Sequence, residues 1–100
     1  MTTKLGAQGY GDVAPSYPLH PGTLLAEELE ARGMTRRELV LQTGRSSRTV
    51  SEIINGKRAI TAETALDLEK ALGVSAQSWM NLQSSYDLIL APRRRDKKSA

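Results

Sequence analysis

Ser47, Arg48 and Ser51 fall on the side of one short segment that faces away from Val50, Ile53 and Ile54. One long cation between two hydroxyls is recognition chemistry: a guanidinium makes paired hydrogen bonds to guanine O6 and N7, and a serine hydroxyl bonds either kind of base edge. Glu52 shares that side, where it would repel phosphates unless it pairs with Arg48 four residues back or accepts from a cytosine amino group. Residues that make or break bonds are scarce. The chain has one histidine, no cysteine, no glycine-rich phosphate loop and no paired acidic motif at metal-binding spacing. Nothing assembles a nucleophile, a base and an oxyanion donor, so no catalytic residue, metal ligand or cofactor is expected and the chain is not read as an enzyme. The single His20 is better suited to a local cap or turn.

Two short helices joined by a glycine turn must position these groups, within residues 34–58. Thr35 and Glu38 have the spacing of a capping box, with Met34 and Leu39 as its hydrophobic staple. Leu39 and Val40 give the first of the two helices its buried side, and Gly44 stands where a left-handed residue is wanted. Ser46 or Ser47 caps the second, in which Val50, Ile53 and Ile54 at i, i+3 and i+4 must face the core. That is a helix-turn-helix, and its outer face fits a DNA groove. Arg37, Thr49, Asn55, Lys57 and Arg58, at helix ends or at the rim, are expected to meet phosphates, with Arg45 close enough to join them.

Charge counted by segment agrees. Residues 34–58 hold six Arg or Lys against two Glu, net +4, whereas residues 1–33 and 59–91 sum to −2 and −3. A duplex would meet the basic side.

The remaining chain divides around this unit. Residues 1–19, with three glycines, two prolines and no helical period, are expected to be a flexible arm. A first helix begins near Pro21 and ends at Gly33, with Leu24, Leu25 and Leu29 inside. Thr61 caps a fourth helix with Ala65, Leu66, Leu68 and Leu72 on its buried side, ending at Gly73. Ser75 caps a fifth, expected to stop at Ala91 before Pro92. In it Trp79, Leu82, Tyr86 and Ile89 recur at 3, 4 and 3, the seam of a coiled-coil-like contact, and are expected to form a homodimer interface. A dimer places two recognition helices roughly 34 Å apart, one turn of duplex. Residues 92–100 form a basic tail of net +4.

The motifs T-R-R-E-L, T-V-S-x-I and N-G-K-R resemble the XRE-type helix-turn-helix repressors. Adding His20-Pro21-Gly22, the run from Asn55 to Leu66 and the run from Trp79 to Leu88, residues 20–91 resemble the HigA (VapI-like) antitoxins. Thr43 and Arg45 flank the turn glycine where that family more often has Leu and Val. The resemblance implies a five-helix, lambda-repressor-like all-α domain over residues 20–91. It also implies that Arg36, first after the N-cap of the second helix, reaches the groove and joins Ser47, Arg48 and Ser51 at base edges. Its further implications are an operator at the chain's own promoter and a co-encoded toxin, a RelE-like messenger-RNA endonuclease of HigB type. Without the toxin, the same features describe a stand-alone transcription regulator.

One hundred residues suffice for one small domain. With no cysteine, no apolar run of membrane length and no signal-peptide pattern, a cytoplasmic chain is expected, associated with the nucleoid when bound to DNA.

Overall fold

Each helix start carries the polar side chain that backbone donors at a helix N-terminus require. The structure is a computed structural model that describes the backbone of residues 19–99 and the side chains of residues 19–95. The expected N-terminal arm lies outside the described residues, apart from Leu19. Helix α1 spans Pro21–Arg32, with Pro21 in its first turn, where a missing N–H costs nothing. His20 is its N-cap: Nδ1 accepts from the Gly22 amide at 2.9 Å. Helix α2 spans Arg36–Thr43 behind the expected capping box: the Glu38 amide donates to Thr35 Oγ1 at 3.0 Å, and the Thr35 amide to Glu38 Oε1 at 2.8 Å. Helix α3 spans Ser47–Ile54, and of the two candidate serines Ser46 is the cap, accepting from the Thr49 amide at 3.0 Å. Helix α4 spans Ala62–Leu72 behind Thr61, and α5 spans Ala76–Ser99 behind Ser75. No strand occurs among the described residues, so the fold is all-α.

The core draws on every helix. Leu25 and Leu29 of α1, Leu39 of α2, Val50 and Ile53 of α3, Ile60, then Ala65, Leu68 and Leu72 of α4 and Trp79 of α5 are all buried. Met34, the staple residue, packs against this cluster, as do Leu24, Val40 and Ile54. Helix α1 crosses α3 so closely that a Cβ placed on Gly22 would sit 1.8 Å from the carbonyl oxygen of Ile53. Only glycine permits that approach. Buried polar groups are matched: Gln83 Oε1 accepts from the Ile60 amide at 2.7 Å, and Trp79 Nε1 donates to the Val74 carbonyl at 3.1 Å. Arg32 of α1 donates to the Leu72 carbonyl, satisfying one of the free acceptors at the end of α4.

Two expectations need correction. Leu66 is 56% exposed. Ala65, Leu68 and Leu72 already define the buried stripe of α4, and Leu66 stands about 100° round the helix from Ala65, toward solvent. Helix α5 does not stop at Ala91 but runs through Pro92 to Ser99. A helical proline removes the bond to the carbonyl four residues back, here Leu88, and tends to kink or end the helix. Leu88 is exposed, so water can take that carbonyl. The Arg and Lys residues that follow are good helix formers.

Candidate nucleic-acid interface

The face presented by α2 and α3 follows from the α3 burial pattern. With Val50 and Ile53 turned inward, Ser47 and Arg48 are left exposed, and the Arg48 side chain keeps 83% of its surface free. Ser51, one turn further on, is half-buried and accepts from Arg36 Nη1 at 3.1 Å. The four residues expected at base edges are thus brought to one surface: Arg36 reaches it from α2, and Ser47, Arg48 and Ser51 come from α3.

Glu52 organises the cations beside them. Arg48 Nε donates to Glu52 Oε2 at 3.0 Å, while Arg58 donates to Glu52 Oε1 through Nε at 2.8 Å and lies 2.6 Å from it through Nη2. Hydrogen bonds from Arg48, then Arg58, hold the Glu52 carboxyl below the usual glutamate range, so it is ionised at neutral pH. The pairing with Arg48 was one of the two alternatives open in the sequence; the engagement of Arg58 was not foreseen.

The expected phosphate-facing residues divide. Arg37, Asn55, Lys57 and Arg58 are exposed, and Gly56 takes the left-handed conformation (φ 75°) that ends α3 and starts the basic loop. Thr49 is half-buried in the cap, its hydroxyl accepting from Ser46 at 3.0 Å. Arg45 is turned inward: Nε meets Asp67 Oδ2 of α4 at 2.7 Å. Thr43 bonds the Leu39 carbonyl at 2.8 Å and receives the Arg45 amide at 3.2 Å. The two residues that flank the turn glycine therefore hold the turn by polar contacts.

On the far side of the basic loop, His20 meets Tyr86 edge to face, with ring centroids 4.8 Å apart. Burial holds its imidazole below the ordinary value of 6.5, against opposing contributions from the Arg58 backbone and Asp87. A groove of about 210 Å³ opens there, with Lys57, Arg58 and Arg94 among its lining residues. Arg94, expected in a basic tail beyond Pro92, is carried here by the continuation of α5. Of the residues expected at a dimer seam, Trp79 needs correction. Trp79 is 0% exposed and belongs to this chain's own core. Leu82, Tyr86 and Ile89 are half-buried, and Leu88, at 71% exposure, is the open apolar group on α5.

Comparison with known proteins agrees with this geometry. Residues 25–79 match the family described as helix-turn-helix. The chain is 42% identical over 82 residues to virulence-associated protein I of Dichelobacter nodosus, covering 81% of this chain and 74% of that one. A HigA-family addiction-module antidote protein from Coxiella burnetii superposes with TM-score 0.73 at 41% identity, over 81% of this chain and 89% of that one. This chain belongs to the helix-turn-helix family of the HigA antitoxins. Another member, the Pseudomonas aeruginosa antitoxin HigA, whose structure was solved with the higBA promoter, matches with TM-score 0.76 at 36% identity, over 82% of this chain and 90% of that one. The HigA antitoxins are not an enzyme family. Among the described residues, no group of three or more His, Cys, Asp or Glu could hold a metal ion, and no helix is long and apolar enough to cross a membrane.

Proposed function

We propose that this chain is the antitoxin of a type II toxin-antitoxin pair: a dimer that binds the operator of its own promoter and neutralises a co-encoded messenger-RNA endonuclease of HigB type. The observation that carries it is the open face of α3, where Ser47 and the 83%-exposed Arg48 stand clear of the core with Arg36 and Ser51 bonded alongside. Arg48 enters the major groove and pairs with guanine through its free terminal nitrogens. Ser47 and Ser51 read neighbouring edges by hydrogen bond or water. Arg36, held by Ser51, approaches from α2, and Arg37, Thr49, Asn55, Lys57 and Arg58 meet the backbone on either side. Arg45 supports the turn through Asp67 and is secondary at the phosphates. The promoter-bound Pseudomonas aeruginosa HigA supports the choice of partner.

Dimerisation follows the α5 side of the molecule, through Leu82, Tyr86, Ile89 and the exposed Leu88. For the toxin, the acidic face of α4 has the charge that complements a basic ribonuclease. Of the acidic residues on α4, Asp67 is held by Arg45 and Glu69 accepts from the Ala76 amide at 3.1 Å. Glu63 is exposed on the same helix and is available to a basic ribonuclease.

A mobility-shift titration with the chain's own upstream region, run over a salt series beside a scrambled duplex, tests the DNA half. Preferential binding that survives physiological salt is expected; equal affinity for both duplexes would refute it. Co-expression with a small reading frame found beside this chain's own gene tests the toxin half. Relief of that frame's growth arrest is expected, and no relief would leave a stand-alone regulator.

A further inference from the structure

Nonspecific attraction to a duplex grows with every cation free to neutralise a phosphate, and a protein that searches for one site must limit it. The reading surface of this chain carries an unusual element for that purpose. Glu52 stands among the cations of α3 and the loop after it, and its two carboxylate oxygens take different partners: Oε2 takes Arg48 Nε at 3.0 Å, and Oε1 takes Arg58 Nε at 2.8 Å. Both arginines are held from residues near in sequence, four before and six after.

We propose that Glu52 is a specificity-determining residue of the reading face, one that withholds Arg48 and Arg58 from indiscriminate phosphate binding and holds the Arg48 fork ready for a base edge. The inference rests on the DNA-binding function proposed above. Its physical basis is the division of labour within the Arg48 guanidinium. Among the described residues Glu52 engages the Arg48 guanidinium only at Nε, which leaves the two terminal nitrogens, the pair that donates to a guanine O6 and N7, on a side chain 83% exposed. A tether at Nε also removes part of the rotamer freedom that a long exposed arginine otherwise loses on docking. On a random duplex no guanine waits at the right position. The cations then offer little beyond charge, and Glu52 cancels one unit of it while repelling the nearby phosphates. On the operator the base contact is made, and Arg58 meets the adjacent phosphate from the edge of the groove.

Glu52→Gln tests this, because it keeps the side-chain shape and an acceptor oxygen and removes the charge. Affinities for the upstream region and for a scrambled duplex are measured over a salt series, with a thermal melt of each protein to confirm folding. The variant is expected to bind the scrambled duplex more tightly, with a salt slope steeper by about 1 to 2, since each freed cation adds about 0.9. Its operator-to-scrambled ratio is expected to fall about tenfold. Glu52→Ala, which also removes the tether, should lower the ratio further. A folded Glu52→Gln variant with unchanged slope and ratio, beside a wild type that discriminates, would overturn this inference alone. A wild type that binds both duplexes equally would overturn the operator-specific function proposed above and this inference with it.

Discussion

At the scale of single residues, exposure separates the arginines that can read from those that brace. Arg48 stands free beyond its Nε bond to Glu52, whereas Arg45 has its Nε 2.7 Å from Asp67 and is half-buried. Arg48→Ala should weaken operator binding by about 1–3 kcal/mol and relax preference at one base position, without changing the melting temperature. Titration against the operator and a set of single-base variants checks this. Asp67→Ala should do the reverse, lowering the thermal midpoint while leaving base preference intact. The exposed face of α3 was legible in the sequence because the Val50, Ile53 and Ile54 period fixes which side is left over. The inward turn of Arg45 was not: no local pattern says that Asp67, 22 residues further along, stands within bonding distance. Glu52's pairing with Arg48 was one of two readings at helical spacing, but the approach of Arg58 depends on the path of the loop through Gly56.

At the scale of elements, the start of α1 is where reading helix and scaffold meet. Gly22→Ala would drive a Cβ against the Ile53 carbonyl, backbone that cannot step aside. The expected loss is about 2–3 kcal/mol, the upper range for overpacking, read as a lower urea midpoint, with weaker operator binding as α3 shifts. His20 caps the same helix through Nδ1 and is held by burial below its ordinary value of 6.5. The unfolded chain therefore binds the proton more readily than the folded one. Stability on this account is fully present above 6.5 and drains as pH falls from there through the lowered folded value. Melting temperatures should fall from about pH 8 to about pH 5 in the wild type and change less over that window in His20→Asn, which keeps a capping oxygen and does not titrate. Capping residues and glycine stops were readable locally, and four of the five helix ends follow them. The end of α5 did not follow its proline: the helix continues through Pro92 to Ser99, and a proline inside a helix is a tendency to kink or stop and not a fixed boundary.

At the scale of the whole molecule, the apolar period of α5 does not by itself say which of its residues close the chain's own core. Trp79 lies in the same heptad-like series as Ile89, yet it closes this chain's own core, with no surface left for a second copy. Trp79→Ala should therefore cost about 3–5 kcal/mol of stability. Leu88→Glu should leave folding intact and shift the protein to monomer in sedimentation, with weaker binding to a two-half-site operator. The central claim, that paired copies of α3 read one face of a duplex, is tested most directly by hydroxyl-radical footprinting of the chain's own upstream region. The account predicts two protected patches one helical turn apart, both lost with Arg48→Ala. Uniform cleavage, or the same protection by the Arg48→Ala variant, would contradict it.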